Sequence, residues 1–237
     1  MATVKIWDGA TRLFHWCLAA LVIFQFIIGD IDGFLFVVHI YVGYTILAFI
    51  LYRITWGFVG SPRSRFSDFV AAPSVAIDHA RALLKGRPPR HVGHNPLGGY
   101  MIVALIVAIL VTCCLGLVAH DDDMAGPLAA LLVGPGENVF REFHGFFATV
   151  VIVLAGLHVV GVVADRLLRP QDKIVQAMVT GDKPVSAEEA AAELPLAPSR
   201  RAILVAVPFV AVWLAAIAVT SVDELVSEEE GEEEDDD

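Results

Sequence analysis

Charge and cysteine are both scarce in this chain. Of its 237 residues only 18% are Asp, Glu, Lys or Arg, and only Cys17, Cys113 and Cys114 carry thiols. No C-x-x-C-H occurs, which excludes covalent c-type haem attachment. All three cysteines fall in apolar runs, where they pack as small hydrophobic groups, although adjacent Cys113 and Cys114 leave a redox or metal alternative open. P-loop, Gly-rich dinucleotide fingerprint, zinc signature and internal repeat are all lacking, so nucleotide chemistry is unsupported and no nucleic-acid partner is expected.

Hydrocarbon takes the place of charge. The chain is 57% hydrophobic with a mean hydropathy of +0.68, beyond what a water-soluble core requires. Five stretches, at 13–29, 34–58, 98–118, 140–164 and 202–219, are each long enough to cross a hydrocarbon layer of about 30 Å as a helix. The expected class is an all-α integral membrane protein with five transmembrane helices. A second span follows the first at once, with no small-residue cleavage site between them, so the first is expected to be retained.

Basic residues orient the spans, because Lys and Arg beside a span are held in the cytoplasm. Fourteen of the sixteen lie in three segments on one side: Lys5 and Arg12, the six from Arg63 to Arg90, and the six from Arg166 to Arg201. The segments 30–33 and 120–139, on the other side, carry acids and no Lys or Arg; the two exceptions to the bias are Arg53, inside a span near the basic side, and Arg141. The N-terminus is expected inside and the C-terminus outside, in a bacterial cytoplasmic membrane. Residues 1–12 are then a cytoplasmic N-terminus, 13–170 a four-helix core, 171–200 a cytoplasmic linker with helical fragments, and 201–220 a fifth span that Pro208 kinks. Within the core, the cytoplasmic loop 60–96 carries a short surface helix over 74–85, with apolar residues among charged ones. Residues 221–237 form an acidic periplasmic tail; the eleven acids at 223–237 account for the whole net charge of −11. Such a run is expected to be disordered, either as a solubilising end or as a lure for a cationic electron carrier.

Four histidines sit inside apolar spans, where a titratable ring is costly and normally faces a partner or cofactor. His144 and His158 are fourteen residues apart in one span, ~3.9 turns and ~21 Å of helix, so they share a side at opposite ends. Topology puts His15 near the cytoplasmic end with His158, and His39 near the periplasmic end with His144. Two level pairs suit two haem groups, each iron taking one neutral imidazole from either side. Gly43, Gly145, Gly156 and Gly161 leave room for a flat ring or simply for close helix packing. Arg12 and Arg141 each precede a paired histidine by three residues, and Arg53 lies within a span. All three are candidate partners for haem propionates, Arg12 alternatively being an edge anchor. His79, His91, His94 and His120 are expected at the surface or interface; His94, beside Asn95, is also a candidate for handling the protons of a quinone.

These residues carry a resemblance. W-D-G-A-T-R-L-F-H-W at 7–16, R-I-T-W-G-F-V-G-S at 53–61, G-H-N-P-L-G-G at 93–99, E-F-H at 142–144, L-H-V-V-G-V at 157–162 and A-M-V-T-G at 177–181 together resemble the bacterial cytochrome b-561 and nickel-iron hydrogenase cytochrome b family of di-haem membrane proteins. The resemblance implies a four-helix core holding two b-type haems, with His15 and His158 on the inner one and His39 and His144 on the outer one. It also implies electron transfer between a periplasmic redox partner, such as a c-type cytochrome, and the quinone pool. The fifth helix and the tail lie outside the match, and Gly145 and Thr149 stand where a longer acidic side chain and an Asn are expected. Alternatives are a membrane anchor subunit of a hydrogenase or dehydrogenase, a haem-bearing scaffold without turnover, and a haem-free proton-coupled transporter.

Overall fold

The computed structural model describes residues 2–29, 33–120, 125–129 and 137–219. Residues 30–32, much of the segment 120–139 and the acidic tail lie outside the described residues. Five long helices carry the apolar stretches: α1 (Gly9–Ile28), α2 (Phe34–Val59), α5 (Pro96–Val118), α6 (Glu137–Leu168) and α9 (Ser199–Val219). Between none and 22% of the residues in their most apolar windows are buried within the protein. Side chains such as Phe34, Leu167 and Leu204 face outward, and only a hydrocarbon solvent makes that surface stable.

Helix ends follow capping chemistry rather than the edge of apolarity. α1 begins four residues before its apolar run because the Asp8 carboxylate accepts the Thr11 N–H at 2.7 Å. α5 starts at Pro96, whose fixed φ suits a first helical position, and Asn95 Oδ1 accepts the Gly98 N–H at 2.7 Å. α6 runs past its apolar stretch to Leu168, and Asp165 pairs with Arg169 one turn apart at its end. Pro208 lies inside α9 without ending it.

Contacts divide the chain into two compact units. The first comprises Met1–Trp16, Tyr52–Val107 and Val151–Ala206. It contains β1 (Ala2–Lys5), α3 (Phe66–Phe69), α4 (Pro73–Leu84), α7 (Ile174–Thr180), β2 (Asp182–Val185) and α8 (Ala187–Ala191). Residues 171–200, expected as a linker, thus carry a strand. β1 and β2 pair antiparallel from Ala2 opposite Val185 to Lys5 opposite Asp182. Ile6, Trp7 and Ala177 form a buried cluster beside them. Gly181 takes φ +90°, and a Cβ there would stand 2.8 Å from the Trp7 carbonyl oxygen, so this turn needs glycine.

A polar network closes this unit. Lys183, 2% exposed, donates to the His91 and Val92 carbonyls at 2.8 and 2.9 Å. Arg90 donates to Asp172 at 2.8 Å, to Glu189 at 2.7 Å and to the Pro184 carbonyl at 2.9 Å. His79 was expected at a surface but is only 3% exposed, because α4 turns it inward against His91, with ring nitrogens 3.3 Å apart. Residues beyond α8 are fastened to α2 and the loop after it: Glu193 pairs with Arg63, the Ala197 N–H donates to Ser61 Oγ at 3.0 Å, and Arg201 reaches the Val59 carbonyl at 3.4 Å.

The second unit comprises Cys17–Leu51, Ala108–Val150 and Val207–Asp237. In it Trp213 Nε1 donates to Thr45 Oγ1 at 3.0 Å, tying α9 to α2. Leu128 and Gly126 donate their N–H groups to the carbonyls of Leu117 and Ala119, both at 2.7 Å, which satisfies chain-end carbonyls of α5 that would otherwise be orphaned.

Candidate functional site: two facing histidine pairs

Within the first unit, His15 on α1 faces His158 on α6 with ring centroids 6.3 Å apart and planes at 59°. Trp16 packs edge-on against His15 at 4.9 Å. The Trp16 indole also donates to the Met178 carbonyl at 3.2 Å, and Arg12 Nη1 donates to the Val179 carbonyl at 2.5 Å. Side chains of α1 therefore cap the last turn of α7, work that the sequence reading of Arg12 did not include.

Arg53, on α2, is 4% exposed and lies over the rings of Phe66 and Phe69 at 5.5 and 5.7 Å. Its Nη1 is buried and has no hydrogen-bond partner among the described residues. Asp8 supplies opposite charge nearby and is itself a hub: it accepts from Thr11 Oγ1 at 2.9 Å, Ser64 Oγ at 3.1 Å and Trp56 Nε1 at 3.4 Å. His94, expected at the surface or interface, has its ring packed by Trp7 and Phe69 at centroid distances of 4.5 and 5.1 Å. Burial, and after it the charge of Arg53, hold the His94 imidazole down to about 3, so it is neutral at physiological pH. Its Nδ1, like that of His15, is buried without a hydrogen-bond partner among the described residues. Asn95 is engaged as the cap of α5.

Within the second unit, His39 on α2 faces His144 on α6 with centroids 6.0 Å apart and planes at 68°. His144 Nδ1 lies 2.9 Å from the Thr112 carbonyl oxygen. A carbonyl only accepts, so Nδ1 carries the proton and Nε2 keeps its lone pair for a ligand. Gln25 Nε2 donates to the His39 carbonyl at 2.8 Å, fixing the backbone at that residue. Arg141 is exposed on α6, one turn before His144. Around Gly145, Gly156 and Gly161 an added Cβ would meet nothing within 4 Å.

The sequence did not single out Asp8, Gln25 or Thr112. Asp8 had a signal, an acid immediately before an apolar run in W-D-G-A-T. The Thr112 contribution comes from backbone and leaves no mark in sequence. His120, two residues beyond α5, makes an isolated β-bridge to Ala125.

Five apolar helices with outward-facing side chains define a multi-pass, all-α integral membrane protein. The family model of prokaryotic cytochrome b561 matches residues 6–181, and the chain belongs to that family. Membership makes it a membrane haem b electron-transfer protein. No curated protein and no solved structure gives a match.

Proposed function

We propose that the protein is a di-haem b cytochrome of the bacterial cytoplasmic membrane, moving electrons between a periplasmic redox partner, such as a c-type cytochrome, and the quinone pool. In this reading His15 and His158 would hold a cytoplasmic-side haem, and His39 and His144 a periplasmic-side haem. The two facing pairs are the observation that carries it. With metal–nitrogen bonds of about 2 Å on each side, imidazoles sharing one iron have nitrogens about 4 Å apart and ring centres about 6 Å apart. Centroid distances of 6.3 and 6.0 Å fit that requirement. Among the described residues no cluster of three or more His, Cys, Asp or Glu could hold a bare metal ion. Sites with two protein ligands suit a group that brings its other four.

Each haem, when bound, supplies a one-electron redox centre inside hydrocarbon. The chain supplies everything else. The histidines hold and orient, and the Thr112 carbonyl selects the tautomer of His144 that leaves Nε2 free. Arg53, with a buried and unengaged Nη1, is suited to a propionate of the His15–His158 site. Arg141 is assigned the same role at the other site, and Arg12 a smaller share because its Nη1 already serves α7. Neutral His94 suits hydrogen bonding to a propionate or a quinone oxygen better than donation of a proton as imidazolium. The basic segments support a cytoplasmic N-terminus and a periplasmic C-terminus.

The test is spectroscopic. Purified protein should show reduced-minus-oxidised b-type bands and two haems per chain. His144→Ala should remove one haem while sparing most of the other, and His158→Ala should do the reverse. Retention of both haems by either variant refutes the ligand assignment.

A further inference from the structure

The seat of His144 is built from two helices, and one of its walls is a missing side chain. On α5, Thr112 presents its carbonyl to His144 Nδ1 at 2.9 Å. One turn later on α5 stands Gly116. A Cβ there would lie 2.8 Å from His144 Cε1 and 2.9 Å from His144 Nδ1, both closer than real Cβ atoms come. This differs from ordinary glycine-mediated helix packing, in which backbone meets backbone. The nearest atoms to the absent methyl all belong to the imidazole.

Neither wall can give way cheaply. The backbone at Gly116 has little freedom to retreat: the chain at Gly126 comes so close that a Cβ there would stand 2.4 Å from the Gly116 carbonyl oxygen, and the Leu128 N–H bonds the next carbonyl, that of Leu117, at 2.7 Å. The imidazole is held between the Thr112 carbonyl and His39. A methyl at residue 116 must therefore rotate or lift the ring, and a rotated ring loses its bond to Thr112 or its aim at His39.

We propose that Gly116 is a positioning residue for the axial ligand His144: it holds the ring on the Thr112 carbonyl and thereby sets the affinity and redox potential of the haem at the His39–His144 site. The proposal rests on the ligand assignment above. A hydrogen bond from Nδ1–H to a carbonyl makes the imidazole a stronger donor, which stabilises ferric iron and lowers the potential. Loss of such outer partners typically weakens metal binding about 10- to 100-fold.

The experiment uses the full chain with haem bound. In Gly116→Ala, the haem of the His39–His144 site should bind about 10- to 100-fold more weakly. Its midpoint potential should rise and its ferric low-spin EPR signal should shift, while the His15–His158 haem keeps both its potential and its signal. Repeating the redox titration in the His158→Ala background isolates the affected centre. Wild-type behaviour of both haems, or equal loss of both, overturns the proposal. Should Gly116→Ala not accumulate, the unaltered protein still decides: in ferric protein moved to D2O, hyperfine spectroscopy should find the His144 Nδ1 proton retained, and free exchange overturns the seat. Failure of the parent reading looks different, because then His144→Ala itself spares both haems.

Discussion

A carboxylate as enclosed as that of Asp8, 5% exposed, costs several kcal/mol unless donors surround it. Thr11 gives both its N–H and its hydroxyl, and Ser64 and Trp56 add two more contacts. One residue thus caps α1 and joins it to α2 and the loop after α2. Asp8→Ala removes the cap, worth about 1 kcal/mol, and leaves buried hydroxyl and indole donors without an acceptor. The expected loss is about 2–3 kcal/mol by those terms, read as a lower midpoint in denaturation of the detergent-solubilised protein. Asp8→Asn keeps an oxygen for the Thr11 N–H and should lose less. Equal stability of wild type and Asp8→Ala would remove the hub from the account.

At the scale of elements, α4 and the loop before α5 hold their histidines in the neutral form. Burial lowers His79 and His91, with the Arg169 cation adding to the effect on His79 and His79 itself adding to that on His91. Asp165 opposes the shift at both, and Lys183 reinforces it at His91. An unfolded imidazole binds a proton near 6.5, above the folded value, so the unfolded chain holds more protons as pH falls through that range. Stability of this unit is then full above about pH 6.5 and declines as pH drops toward the depressed folded values. Protection factors for the amides of α4 and α7, with the intrinsic pH dependence of exchange divided out, should be lower at pH 5 than at pH 8, and His79→Gln should flatten the difference. The same protection at both values would count against buried neutral imidazoles.

Which elements could be read from sequence follows from the range of the interactions that make them. The long helices announce themselves through length and apolarity, properties of adjacent residues. That His15 faces His158 and His39 faces His144 could be inferred because helix periodicity and span direction carry a residue's depth over long separations. The β1–β2 sheet could not: each strand has four residues, β2 contains Pro184, and the partners are 180 or so positions apart. His79 looked superficial because amphipathicity does not tell which polar residue of a short helix turns inward. Gly116 was invisible for a related reason, since glycine is common in membrane helices and only the neighbouring imidazole distinguishes this one.

For the whole molecule, charge is concentrated at one end of the sequence. The eleven acids at 223–237 equal the net charge of −11, so residues 1–222 balance at sixteen of each sign. The family match ends at residue 181, and α9 connects the matched core to this acidic end. With the proposed orientation, a basic periplasmic c-type cytochrome should reduce the protein at a rate that falls steeply with ionic strength. Deleting 223–237 should lower that rate at low salt and flatten the salt dependence without changing haem content. An unchanged salt profile would leave the tail as a solubilising end.

The β1–β2 pairing also orders events during synthesis. Strand β1 is made before the first long helix, yet its partner β2 is made only after the fourth. Until then residues 2–5 have no strand to join, and the Ile6 and Trp7 amides lack the Gly181 carbonyl that will accept them. Closure of this small sheet therefore marks a chain whose four matched helices have all been translated.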